Sequence, residues 1–143
     1  MIHVMCGISG SGKTTLSNQL ASEHDATLYC YDAMSRKEQP YKTRLLMHRR
    51  ILRDLKNNKN VVCDDSHITI QSRIEVLRLL SSVECKKILH LMKTPLDTCV
   101  ERAKTREGRE GWKDIVEKQF EHYEEPTLEE GWDEIIYHEY VKE

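Results

Sequence analysis

Short apolar runs alternate with amphipathic stretches along the whole chain, and this alternation predicts strands and helices in succession. Ile2–Cys6 reads as a strand and Lys13–Glu23 as a helix. Thr27–Tyr31 follows as a second strand. Tyr41–Asn57 is a long helical stretch with Leu45, Leu52 and Leu55 to one side. Asn60–Cys63 opens a third strand that ends on Asp64-Asp65. Ile70–Ser81 has Ile74, Leu77 and Leu80 at helical core spacing, and Lys87–Met92 reads as a fourth strand. Pro95–Arg106 is a helix opening on proline, where the missing N–H is no loss. Glu107–Gly111 is a loop, Trp112–Tyr123 a helix and Glu134–Tyr137 a short last strand. Such alternation predicts an α/β fold, three-layer α/β/α, with a mainly parallel sheet of about five strands. In such a sheet ligands bind beyond the carboxyl ends of the strands. At 143 residues the expectation is one domain over 1–143, without repeats or linkers.

The loop after the first strand carries the most specific chemistry. Gly7-Ile8-Ser9-Gly10-Ser11-Gly12-Lys13-Thr14 reads G-x-x-x-x-G-K-T, the Walker A phosphate-binding pattern of P-loop NTPases. It lies between a strand and a helix, as its mechanism requires. Glycines let backbone N–H groups turn inward on an anion, and the next helix presents its positive end to the same place. The expected nucleotide contacts are Gly7, Ser9, Gly10, Ser11, Gly12, Lys13, Thr14 and Thr15. Lys13 would reach the outer phosphates, and the Thr14 hydroxyl would ligate Mg²⁺.

Charge and cysteines narrow the picture. The net charge of −2 gives no whole-chain reason to expect a nucleic-acid or membrane partner. The distribution is uneven, with nine basic residues from Arg36 to Lys59 against Glu38 and Asp54, and an acidic final stretch. Arg49, Arg53 and Lys56 share one helical face, which can track a phosphate backbone or simply be solvated. The five cysteines form no C-x-x-C pair and no metal spacing, which predicts free thiols in a reducing compartment. No signal peptide or membrane span is expected, so the protein is expected to be cytoplasmic.

Three further groups bear on catalysis. Asp32 follows the second strand, where a carboxylate can accept the proton of an attacking hydroxyl or serve as an ordinary turn cap. Val61-Val62-Cys63-Asp64 is a Walker B-like strand ending in acid, so Asp64 or Asp65 can hold the Mg²⁺ shell or merely close the strand. Arg102, Arg106 and Arg109 are spaced to share a helix face and lead into a glycine-containing loop. They suit an arginine-bearing lid over the triphosphate, or a solvated face paired with Glu101, Glu107 and Glu110.

Together these segments resemble the P-loop kinases of the polynucleotide 5′-hydroxyl kinase type over most of the chain. The resemblance implies Asp32 as general base and Asp64-Asp65-Ser66-His67 in place of the family's D-x-T-N. It implies the stretch from Pro95 to Arg106 as the lid helix, with Arg102 and Arg106 on ATP. Glu125 to Ile136 is similar to the family's closing segment. Acceptor contacts would come from Asp32, Arg36, Asp65, Ser66 and His67. The chain departs from the pattern at Ser35, where the family's D-x-x-R places arginine, with Arg36 one residue late. Ala103 also replaces the lid asparagine. No D-x-D-G phosphatase motif is present, so a kinase unit alone is expected.

The resulting expectation is an ATP- and Mg²⁺-dependent kinase acting on a hydroxyl, foremost the 5′-OH of DNA or RNA. Lys13, Asp32 and Arg106 would be its catalytic residues, and Thr14 and Asp64 its metal contacts. A kinase of the same fold acting on a nucleoside, sugar or antibiotic is the alternative, and an ATP-binding module without acceptor is the third. A GTPase is disfavoured because Asn58-Lys59-Asn60-Val61 lacks the aspartate of N-K-x-D. The sequence leaves the oligomeric state open, and a homodimer is compatible with it.

Overall fold

The computed structural model describes residues 1–35, 40–105 and 111–140. Arg36, Arg106 and Arg109 lie outside the described residues. Five strands, β1 (Ile2–Cys6), β2 (Thr27–Cys30), β3 (Val61–Asp64), β4 (Lys87–Lys93) and β5 (Glu134–Glu139), form one sheet in the order β2-β3-β1-β4-β5. Every pairing is parallel, so all five carboxyl ends meet along one edge. The helices are α1 (Lys13–Glu23), α2 (Tyr31–Ser35), α3 (Pro40–Lys56), α4 (Ile70–Leu80), α5 (Leu96–Lys104) and α6 (Trp112–His122), with a 3₁₀ turn at Leu128–Glu130.

Strand parity decides which helix covers which face. Ile2, Val4 and Cys6 point to one side, where Met47, Ile51 and Leu55 of α3 and Val76 and Leu80 of α4 complete the main core. Met5 and Val62 point to the other side and meet Leu16 and Leu20 of α1. Helices α5 and α6 pack on each other and on Ile8 of the phosphate loop through Cys99, Ala103 and Val116.

Three local expectations are corrected. The chain turns helical at Tyr31 instead of extending β2, because the last β2–β3 pair is Cys30 with Asp64 and no ladder partner lies beyond it. The buried stripe of α3 is Met47, Ile51 and Leu55, whereas Leu45 is 43% exposed. Strand β5 runs two residues further than expected, to Glu139, which pairs with Lys93 of β4. All five cysteines are free. Burial pushes the Cys6 thiol up to about 11, which keeps it protonated.

On the α1 face the sheet carries a row of imidazoles. His3 Nδ1 and His90 Nε2 are 2.9 Å apart, and so are His90 Nδ1 and His138 Nε2. His24, just past α1, lies with its ring centroid 4.5 Å from that of His3. Burial, with neighbouring imidazoles adding to it, lowers His3 to about 4 and His90 to about 3. The unfolded chain binds protons at these rings below pH 6.5 and the folded chain does not. Their contribution to stability is therefore full above pH 6.5 and is lost as pH falls toward 4. The urea midpoint at pH 5.5 should lie below that at pH 7.5, and the free energy of unfolding should be lower by about 1 kcal/mol per ring. His90→Leu should shrink the gap; an unchanged midpoint between the two pH values would refute this origin.

Candidate active site

The phosphate loop is held from several sides. The Gly7 N–H donates to Ser66 O at 2.9 Å, fixing the loop to the chain leaving β3. Arg102 Nη1 of α5 donates to Gly10 O at 2.7 Å, and Thr94 Oγ1 donates to Ser11 O at 2.7 Å. Gln119 of α6 accepts the Ser9 N–H at 2.8 Å. Gly10 has φ +82°, and a Cβ there would lie 3.0 Å from Cys99 O at the start of α5. Only glycine combines that backbone with that approach.

The loop fits a polyphosphate. Helix α1 starts at Lys13 behind Gly12, and no side chain caps its first turn, so its amide dipoles are open to an anion. The Ser11 hydroxyl is buried without a hydrogen-bond partner among the described residues. Lys13 Nζ donates to Ile8 O at 3.0 Å, folding the side chain back over the loop. Burial pushes its ammonium below the usual range, against the pull of Asp64, Asp32 and Asp65.

The donor set also fits Mg²⁺, a hard cation that takes few protein oxygens and keeps several waters. Asp64 Oδ2 accepts from Thr14 Oγ1 at 3.2 Å and from Ser17 Oγ at 3.0 Å. Ser17, one helical turn after Thr14, is fully buried, and it aims the carboxylate at the Thr14 hydroxyl.

These groups open on a cavity of about 950 Å³ at the carboxyl edge of the sheet. Of the residues expected there, Ser9, Gly10, Ser11, Gly12, Lys13, Thr14, Thr15, Asp32, Asp64, Asp65, Ser66 and Arg102 line it. Gly7 lies beneath the loop, where it borders a second, smaller pocket. His67 is turned inward: it is 5% exposed, has φ +46°, and its Nδ1 bonds with Met5 O at 2.9 Å. It is a brace for β1 and does not reach the cavity wall. Arg36 and Arg106 fall outside the described residues.

Sequence reasoning missed Tyr31, Arg44, Gln119, His138 and Tyr140, which line the same cavity. Arg44 of α3 donates to Asp65 from both Nε and Nη2, at 3.2 and 3.0 Å. Tyr31, Asp32, Arg44 and Asp65 form one wall. His138 lines the cavity from β5, at the other end of the sheet from β2; Gln119 and Arg102 line it as well, and the Arg102 guanidinium lies 5.8 Å from the Tyr140 ring centroid. The only signal for Arg44 was its place in the basic stretch, and His138 and Tyr140 gave none until β5 was placed beside β4.

A family model described as AAA domain, AAA_33, matches residues 2–126. The chain belongs to the AAA_33 family. Among curated proteins none matches it by sequence. Solved structures share the fold of this AAA_33 domain at low identity. A fungal RNA kinase is 17% identical with a TM-score of 0.76, over 95% of this chain but only 37% of its own. Kti12 from Chaetomium thermophilum, in complex with ADP-AlF3, is 16% identical with a TM-score of 0.71, over 98% and 89%. A gluconokinase from Sinorhizobium meliloti 1021 is 18% identical with a TM-score of 0.68, over 99% and 83%. The AAA_33 domain thus has the P-loop kinase fold, a five-stranded parallel sheet with helices on both sides. Among the described residues no helix is long and apolar enough to cross a membrane.

Proposed function

We propose that this domain transfers the γ-phosphoryl group of ATP to a hydroxyl, and that the hydroxyl is the 5′-OH of a DNA or RNA strand. The observation carrying the reading is that Asp32 lines the same cavity as the phosphate loop and the Thr14–Asp64 pair. A nucleotide-binding module needs the loop; a kinase also needs a carboxylate on the acceptor side. Lys13 and Arg102 hold the donor phosphates, with Arg106 as a third cation on the lid stretch. Thr14 and Asp64 would hold Mg²⁺, which would supply charge neutralisation on the donor. The acceptor oxygen bonds to the γ-phosphorus, the bond to the bridging oxygen breaks and ADP leaves. The acceptor proton passes to Asp32.

The nucleic-acid reading draws on α3. Arg49 and Lys56 are exposed along it, and Lys56 lies roughly 18 Å of helical rise beyond Arg44. A strand entering the cavity by its 5′ end has a basic track to follow. Arg36 and Ser66 would be further acceptor contacts.

The test is transfer from γ-labelled ATP with Mg²⁺ to 5′-OH DNA, 5′-OH RNA, nucleosides, gluconate or no acceptor. Label on oligonucleotide ends is expected. Label on small alcohols alone would replace this reading with a small-molecule kinase. Release only as free phosphate would leave an ATP-binding module.

A further inference from the structure

The cavity wall beside Asp32 contains a guanidinium held by one carboxylate oxygen and one aromatic ring, with one end unused. Arg44 donates Nε and Nη2 to a single oxygen, Asp65 Oδ2. The other oxygen, Oδ1, accepts the Ser66 N–H at 2.8 Å, so the carboxylate itself is fixed. The Tyr31 ring packs against the guanidinium with its centroid 4.1 Å away. Arg44 Nη1 has no hydrogen-bond partner among the described residues, and the side chain is 49% exposed while Asp65 is 10% exposed. An ordinary surface ion pair leaves both partners mobile. Here the acid is nearly buried, the cation rests on an aromatic face, and the free donors stand on the cavity wall that carries Asp32.

We propose that Arg44 reads an anionic group on the acceptor, so that the accepted substrate carries a phosphate next to the hydroxyl it offers. Asp65 is a positioning residue that holds the guanidinium, rather than a substrate contact itself. A planar fork with a free edge matches two oxygens of a phosphate, and its prior fixation reduces the ordering needed on binding. The position after Asp32 where an arginine was expected is Ser35, whose hydroxyl instead donates to Asp32 O at 3.1 Å. Arg44 brings the missing charge from the neighbouring helix. The choice of phosphate rests on the kinase reading above; the presence of an anion-reading group does not.

Calorimetric titration of the Mg²⁺–ADP-loaded protein with thymidine 3′-phosphate, thymidine and gluconate tests the proposal. Thymidine 3′-phosphate should bind about tenfold or more tightly than thymidine, as charge-assisted hydrogen bonds imply. Arg44→Gln should bring the two ligands to the same affinity. Asp65→Asn should reduce the preference several-fold without weakening thymidine. No preference in the unaltered protein, a preference that survives Arg44→Gln, or tighter binding of gluconate would each overturn it. The same ligands offered with γ-labelled ATP separate the two readings. Arg44-dependent binding without label transfer removes the kinase and keeps the anion site. Label transfer without an Arg44-dependent preference does the reverse.

Discussion

Asp32→Asn is expected to lower kcat by about 10²–10⁴ while ATP still binds. Asparagine preserves the size of the side chain and its place in the first turn of α2. It removes only the ability to take a proton. In phosphoryl transfer most of the catalysis is positioning and charge stabilisation, which in the proposed reaction falls to the loop, Lys13 and the Thr14–Asp64 pair on the donor side. The acceptor oxygen must still shed its proton; of the carboxylates that line the cavity among the described residues, Asp64 is engaged by Thr14 and Ser17, and Glu139 ends β5 at the other side of the sheet from β2. Asp65 is already committed to Arg44. Steady-state kinetics with the acceptor found in the labelling test, alongside equilibrium ATP binding, checks this. A loss of less than tenfold in kcat would remove Asp32 as base, and an equal loss of ATP affinity would make it a structural residue of the loop.

Arg73→Met should lower the free energy of unfolding by about 3–5 kcal/mol, the usual effect of stripping one partner from a buried ion pair. Arg73 is wholly buried and makes a two-point pair with Glu130, Nε to Oε1 at 2.9 Å and Nη2 to Oε2 at 3.1 Å. It also donates to His67 O at 3.0 Å and Glu124 O at 2.8 Å. Burial alone would push the Glu130 carboxyl up, but hydrogen bonds from Arg73 and Trp132 outweigh it and hold the acid below its usual range. Without the arginine the buried carboxylate loses its ion-pair partner and keeps the Trp132 and Thr127 N–H donors, His67 O keeps the Cys6 thiol, and Glu124 O loses the guanidinium. The double change Arg73→Met with Glu130→Gln should recover part of the loss, because no uncompensated charge remains. Urea unfolding of the three variants measures it; a single-variant loss under about 1 kcal/mol would show that water replaces the guanidinium. The same arginine braces the backbone from Ser66 to Ile68 that anchors Gly7, so the variant should also bind ATP more weakly.

Much of the phosphate loop's local structure was legible because its residues are contiguous. The strand–loop–helix from Ile2 to Glu23 appears with the expected bounds, and the loop glycines, Lys13 and Thr14 are neighbours in sequence. The acid at the end of β3 needed only a strand ending on time. The cavity wall that carries Asp32 depends on long-range placement. Arg44 is one basic residue among many on α3, and nothing local distinguishes it until the helix is laid against Tyr31 and Asp65. Leu45 drew attention because leucine is the common core residue, yet the stripe that packs is set by Met47, Ile51 and Leu55. Arg73 carried a quieter signal: it continues the spacing of Val76 and Leu80 on the buried side of α4, where an unpaired charge would be untenable. His67 took the place of an asparagine in the motif, but a left-handed backbone at that residue directs the ring inward. The imidazole row could not be foreseen, since its members are adjacent only through the strand order β1-β4-β5.

That row has a directional property. A neutral imidazole carries one N–H, and each of the two ring-to-ring bonds needs one hydrogen. If His90 keeps its proton on Nε2, His138 must also carry its proton on Nε2, and so must His3. If His90 holds it on Nδ1, the other two follow. All three rings therefore share one tautomer, and they can change it only together. At His138 the choice decides whether Nδ1 offers a lone pair or a hydrogen, on a residue that lines the nucleotide cavity. At the other end His3 Nε2 is buried without a hydrogen-bond partner among the described residues. A polar side chain introduced beside it would thus set, through three rings and across three strands, what His138 presents to whatever lies in the cavity.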